Sequence, residues 1–443
     1  MTTSVRIIAQ HYDPSTGEIL ESSTIRDEVV TKPDYLKDLG YLHMDQIDII
    51  SKCQDFKISH QINLFNDTNT CPICGYKAVK HGKYNSEFHA IFSDHNIQIQ
   101  RLKCKNGCNI PYKLEGIFGS STHPDLLKKQ AELMSDKSYV KASKYLNYDS
   151  LDTRAINNRT HLSRVGGMIS NVIESIRTED KEVKDIGVKE LITTIDGGHI
   201  KSRGDGRSFE AMVAAIYRPE SIKRLDKNHQ EITSKRIVAS SKDDEQKNIK
   251  KQYLNACIEE GMGKNTQVVC LADGADNCWS VTELIRAQCA NVLEILDWFH
   301  IGKKFKNSQS AVSDEHLDDY DKAKWHVWHG SPDAAVTKLE VLIKQISDNT
   351  LLSKLDKLKN YIKNNKDKII NYAERDRKGL VYASSYAEST VSNLINVRQK
   401  NKQRMTWTRE GANQVLQIRA SKLSNRWNQD WSDIEEIVYL KAV

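Results

Sequence analysis

The chain has 443 residues, enough for two or three domains with cores of their own. A hydrophobic fraction of 39% and a charged fraction of 28% describe a soluble globular protein, and no apolar run reaches the roughly 18 residues that would span a bilayer. The net charge of +6 is too small to name a partner, and the N-terminus lacks the charged-then-apolar layout of a secretory signal, so a cytoplasmic, prokaryotic setting is expected (or a nucleus, if the source has one).

Residues 1–65 carry hairpin signals, among them the DPSTGE turn at 13–18, and suggest no chemistry. Of nine cysteines, Cys53, Cys257, Cys270, Cys278 and Cys289 are scattered as small buried residues would be. The other four are paired: Cys71 and Cys74 in CPICG, Cys104 and Cys108 in CKNGC. Two such pairs can meet as four thiolates around one structural zinc, with period-two segments at 87–92 and 96–102 supplying the strands of a zinc ribbon over 66–115. A redox role would need a single CxxC inside a βαβ unit, and that context is missing. His81, His89 and His95 fall within the span, as alternative ligands or as surface residues.

A helical region covers 120–182. Pro124 suits a first turn, a short helix follows at 138–146, and a third spans 153–164. The last bears Arg154, Asn157, Asn158, Arg159, Thr160 and His161, the side chains a recognition helix presents to a major groove. A plain helical bundle would look similar; beside a zinc ribbon, a helix-turn-helix-like DNA reader is favoured.

From 186 to 302 the elements run β-β-β-α-β-α-β: strands at 190–200, 208–217 and 232–240, a charged helix at 243–261, a strand at 266–276, a helix at 280–290 and a strand at 292–298. This is the layout of an RNase H-like mixed sheet with helices on both faces. The first strand carries Asp196 before Gly197 and Gly198, and the fourth carries Asp273 before Gly274 and Ala275. The first and fourth strands of such a sheet are neighbours, so the two acids meet, and the small residues leave room for a nucleic-acid backbone. Carboxylates so placed suit magnesium, which prefers hard oxygen ligands, and two ions about 3.5–4 Å apart serve phosphodiester cleavage. Asp276 rivals Asp273, although it can simply cap the following helix.

An all-α insertion is expected over 303–382, where Val336, Leu339, Leu342 and Ile346, then Leu351, Leu355, Leu358, Ile362 and Ile369, recur at helical spacing. Asp297, His300, Lys303, Lys304 and Lys306 stand at its entrance. Trp325, Trp328 and Trp407 can stack on an unpaired base, or pack in a core. The last part of the core, 383–443, holds a basic stretch: Arg398, Lys400, Lys402, Arg404, Arg409, Arg419, Lys422 and Arg426 stand against one acid, Glu410. It can follow a phosphate backbone or form a solvated helix face.

IDGGHIK, LADGADNCW, ILDWFHIGKKF and AESTVSNLINVRQKNKQRMTWTREGANQVLQIRA, in that order, resemble bacterial insertion-sequence transposases of the ISKra-like group, over about residues 191–420. The resemblance implies a DDE transposase: Asp196 matches the first acid, Asp273 the second and Glu388 the third, binding two Mg2+ (or Mn2+) ions. It implies double-stranded DNA as partner, both transposon ends and target, in a homo-oligomer at least dimeric when synapsed and associated with the nucleoid. The DNA contacts expected are Arg154, Asn157, Asn158, Arg159, Arg398, Lys400, Lys402 and Arg404. Glu374 and Glu410 compete with Glu388, but each has a structural explanation, in a solvated turn and in a first helical turn. The rival readings are an inactive, co-opted transposase acting as a DNA-binding regulator or targeting factor, and a nuclease on the same fold.

Overall fold

Strands β1 (Thr3–Tyr12) and β2 (Ile19–Val30) pair antiparallel around the 13–18 turn in a computed structural model of the chain. The structure describes residues 3–110, 114, 116–204, 206–224, 230–384, 390, 392–400 and 405–440. It divides into two units of dense internal contact, Met1–Met168 with Glu435–Val443, and Ile169–Ile434.

In the first unit, helix α1 (His43–Asn66) packs on the ribbon of β3 (Ala78–His89) and β4 (Asp94–Cys104) through Ile58 and Ile62 against Ile97, Ile99, Tyr84 and Phe88. Three helices follow. Helix α2 (Pro124–Asp136) has Pro124 in its first turn, and α3 (Tyr139–Tyr148) is capped by the Ser138 hydroxyl. A 3-10 turn, Ala155–Asn157, precedes α4 (Arg159–Thr178), so the third helix starts six residues later than its sequence suggests and runs well beyond 164. The apolar faces meet through Leu126, Leu127, Met134, Leu146, Leu162 and Val165. Gly166 lets α4 approach closely, because the Met134 thioether fills the space a Cβ would need.

The second unit is built on one five-stranded mixed sheet. Its strands are β5 (Glu190–Gly204), β6 (Gly206–Tyr217), β9 (Arg236–Ser240), β10 (Gln267–Ala272) and β11 (Asn291–Leu296). A small hairpin of β7 (Ile222–Arg224) and β8 (Gln230–Ile232) interrupts the sequence between β6 and β9. The spatial order is β11-β10-β5-β6-β9; β5, β6 and β9 pair antiparallel, while β5, β10 and β11 run parallel. Such an order needs crossovers, supplied by α5 (Lys247–Glu259) before β10 and by α6 (Asp276–Ser280) with a 3-10 turn, Glu283–Ile285, before β11. The continuous helix expected at 280–290 is thus two short pieces. The parallel strands are apolar runs, with Val268, Val269, Cys270 and Leu271 all buried, as strands covered on both faces must be.

After β11 the chain is helical: α7 (Trp298–Ser308), α8 (Leu317–Trp328), α9 (Pro332–Ile343), α10 (Asn349–Asn364) and α11 (Tyr372–Arg377). Leu339, Leu342, Leu355, Leu358 and Ile362 are buried in a core continuous with the sheet, so the helical spacing read from the sequence is the packed face. A π-helical turn, Ser392–Asn396, and the helix Arg409–Leu423 close the unit, the latter against β9. No helix among the described residues is long and apolar enough to cross a membrane.

Candidate active site

Three parallel strands deliver three aspartates to one end of the sheet. The β5–β10 register closes at Ile195 opposite Ala272, and the β10–β11 register closes at Ala272 opposite Leu296. Asp196, Asp273 and Asp297 each directly follow these last paired residues, so the three acids gather at one end of the parallel ladder. Asp196 is not at a strand end as expected: β5 runs on to Gly204, paired there with β6 alone. The acid therefore marks the end of the parallel ladder, where β10 turns away and leaves a cleft.

Asp196 is half-buried. Burial raises its pKa first of all, the His300 imidazole opposes that, and the neighbouring charges of Asp273 and Asp297 raise it again. Asp273 accepts from the Ala275 N–H at 3.0 Å, and its own carbonyl accepts from the Tyr361 hydroxyl of α10 at 2.8 Å, which ties the end of β10 to the helical insertion. Gly274 has φ +95°, and a Cβ there would lie 2.8 Å from the Asn365 side chain and from Leu296. Asp276, the rival second acid, is exposed in the first turn of α6, whose N-cap is Ala275. The register places Asp273, not Asp276, beside Asp196.

Asp297 was no candidate ligand from the sequence, and the signal that could have found it is the third repeat of a strand ending in an acid. It is fully buried and its oxygens are occupied: it caps α7 by accepting from Phe299 N–H at 3.0 Å, and it accepts from the Ser384 N–H at 2.9 Å and from the Ser384 hydroxyl. His300 Nε2 lies 3.6 Å from it. Burial raises its pKa, against those hydrogen bonds and His300. So saturated a carboxylate orients its surroundings and has little left for a metal. Asp196, Asp297, His300, Ser384 and Thr390 line one cleft with Thr194 and Val213.

Glu388, Lys402 and Arg404 lie outside the described residues. Glu410 is exposed in the first turn of the helix that Thr408 caps, as its local sequence suggests, whereas Glu374 lies in the first turn of helix α11 and not in a solvated turn, paired with Lys378 at 2.6 Å. Lys400 is part-buried; burial lowers its pKa, and the charge of Asp196 works in the opposite direction.

Several candidate contacts belong to the protein's own interior. The space beside Gly197 is filled by the Glu210 side chain and that beside Gly198 by Ile395, so these glycines admit protein packing, not a nucleic-acid backbone. Arg398 is fully buried, 4.7 Å over the Trp407 ring, and Arg419 donates to the Leu394 carbonyl at 2.9 Å and to the Asn393 carbonyl. A π turn leaves carbonyls out of the usual ladder, and Arg419 satisfies them. Trp407 is buried, and Trp328 packs with Trp298 and Tyr372; Trp325 alone of the three candidate tryptophans is mostly exposed. In the first unit Arg154 is buried, donating to Asp94 and to the Ile91 carbonyl, and Asn157 is buried between Gln130 and Asn147. Neither can reach DNA. Asn158 and Arg159 are exposed at the start of α4.

The four cysteines Cys71, Cys74, Cys104 and Cys108 do converge, with sulfurs mutually within 4.8 Å. Cys74 and Cys104 Sγ are 3.6 Å apart, close to the about 3.8 Å edge of a tetrahedron with 2.3 Å zinc–sulfur bonds. The Asn106 N–H points at Cys104 Sγ from 3.3 Å. This cluster can hold a structural zinc. Of the ribbon's histidines, His95 is buried against Ser93 and Asp55, His89 pairs with Asp94 at 2.7 Å, and His81 is exposed.

A scan against protein-family models gives no match, and a search of curated proteins gives none either.

Proposed function

We propose that this chain is a DDE transposase, cutting and joining DNA through Asp196, Asp273 and Glu388 on an RNase H-like sheet. The observation that carries the reading is the pair Asp196 and Asp273, each directly after the last paired position (Ile195 opposite Ala272) of two adjacent parallel strands in a sheet ordered β11-β10-β5-β6-β9. Numbered within this unit, that order is 5-4-1-2-3, which an RNase H-like fold requires. Ser384 and Thr390, on either side of Glu388 in sequence, both line the cleft with Asp196, which supports Glu388 as the third acid.

The donor set fits a hard divalent cation, since the two carboxylates present oxygens, and burial together with the charge of Asp273 raises the proton affinity of Asp196. Asp196, Asp273 and Glu388 would hold magnesium, which when bound stabilises the charge that builds on phosphate oxygens. Asp297 fixes Ser384 and the start of α7, and with it His300, beside Asp196. The part-buried Lys400 offers a cation to a phosphate at the same face. The proposed reaction is in-line displacement at phosphorus: water cleaves a phosphodiester at the element's end, and the freed 3′-hydroxyl displaces a 3′ oxygen in target DNA. Asn158 and Arg159 at the start of α4, next to the zinc ribbon in sequence, would read the transposon end. Two ends must be brought together, so a dimer or larger assembly acts.

The test is purified protein with magnesium and labelled DNA carrying the element's own ends, its products resolved on a sequencing gel. Wild type should nick the end and join it to target, and Glu388→Gln should lose both by at least about a hundredfold while still binding the end. Binding without cleavage by wild type would favour the regulator, and cleavage without joining the nuclease. A fully active Glu388→Gln would remove Glu388 from the site.

A further inference from the structure

The N-terminal hairpin brings together three side chains that neither the zinc ribbon nor the acidic cleft uses. His11 on β1 and Glu21 on β2 are direct cross-strand partners, and His60 of α1 lies over them. Ligand atoms of the three lie mutually within 4.8 Å. The His11 and His60 rings stack at 3.9 Å, and His60 Nδ1 is 4.0 Å from the Glu21 carboxylate. Phe56, one turn before His60 on α1, stacks on the other side of His11 at 4.3 Å, and its carbonyl oxygen lies 3.5 Å from His11 Nε2.

We propose that His11, His60 and Glu21 form a second zinc site, which fastens the tip of the hairpin to α1. Two imidazoles and a carboxylate are a borderline donor set suited to zinc, with water in the fourth position. Tetrahedral zinc with bonds of about 2.1 Å needs donor atoms about 3.4 Å apart with their in-plane lone pairs converging, so binding would unstack and tilt the His11 and His60 rings as it draws the three donors together. The Phe56 carbonyl accepts the Nε2–H of His11 and leaves Nδ1 as the lone-pair nitrogen, the outer-shell arrangement that orients metal-binding histidines. Apart from the Phe56 contacts with His11, little apolar burial holds this end of the hairpin. Ile25 is the single fully buried side chain of β1 and β2, whereas Tyr12, Ile19 and Leu20, beside the His11–Glu21 pair, are exposed. A two-stranded hairpin is marginal on its own, so a metal joining it to α1 would order it.

Zinc content and cobalt spectra of the full chain test this. After removal of metal and reloading, wild type should hold two equivalents per chain. His60→Gln and His11→Gln should each hold one, with the intense near-ultraviolet thiolate–cobalt band of the four cysteines unchanged, which also reports that the first unit is folded. Cys104→Ser should lose that band and keep the second equivalent, seen as weak visible absorption. One equivalent in wild type, or two in both histidine variants, would overturn the proposal.

Discussion

Arg154 donates from Nε to Asp94 at 2.9 Å and from Nη1 to the Ile91 carbonyl at 3.0 Å, so its charge is spent joining the ribbon's β4 to the turn before α4. Composition could not distinguish this arginine from Arg159, five residues on and exposed, because both sit in the same basic, amide-rich run. The same holds for Arg398 and Arg419, which read as a phosphate-binding stripe and serve a tryptophan ring and two carbonyls. Guanidinium groups suit both tasks, and only the fold says which carbonyls are left over. Replacing Arg154 leaves Asp94 with His89 and takes the side-chain donor from the Ile91 carbonyl, so Arg154→Ala should lower unfolding free energy by about 1–3 kcal/mol. Chemical denaturation of the first unit would read this. Arg159→Ala should leave stability within about 0.5 kcal/mol and weaken binding to the DNA end.

At the scale of the element, the starts of β5, β10 and β11 were legible because each opens an apolar run that leads to an acid. The length of β5 was not: nothing in IDGGHIKSRG says that β6 pairs with it beyond the point where β10 leaves. The glycines after Asp196 were read as room for a ligand, yet Glu210 and Ile395, distant in sequence, fill that room. Gly274 is different. Its φ of +95° and the Asn365 side chain 2.8 Å from a would-be Cβ exclude any other residue without strain. Gly274→Ala should cost about 1–3 kcal/mol in thermal unfolding and, by moving Asp273, reduce cleavage more than it reduces end binding. Equal losses in both would mean that the turn supports the fold alone.

For the whole molecule, the order of elements from 190 to 298 sufficed to anticipate a mixed sheet with the first strand beside the fourth, and the four cysteines sufficed to anticipate a cluster able to hold zinc. Asp297 escaped because a helix-capping aspartate and a site aspartate look identical until β11 is seen in register with β10. The histidines at 11 and 60 escaped because 49 residues and two elements separate them. The proposed function rests on Asp196 and Asp273 together ligating the ion that drives strand cleavage. Its most direct test is Asp273→Cys, assayed on labelled end DNA in Mg2+ and in Mn2+, since a thiolate is a poor ligand for magnesium and a better one for manganese. No cleavage in Mg2+ and measurable recovery in Mn2+ are expected; wild-type cleavage in Mg2+, or no recovery in Mn2+, would contradict that role for Asp273.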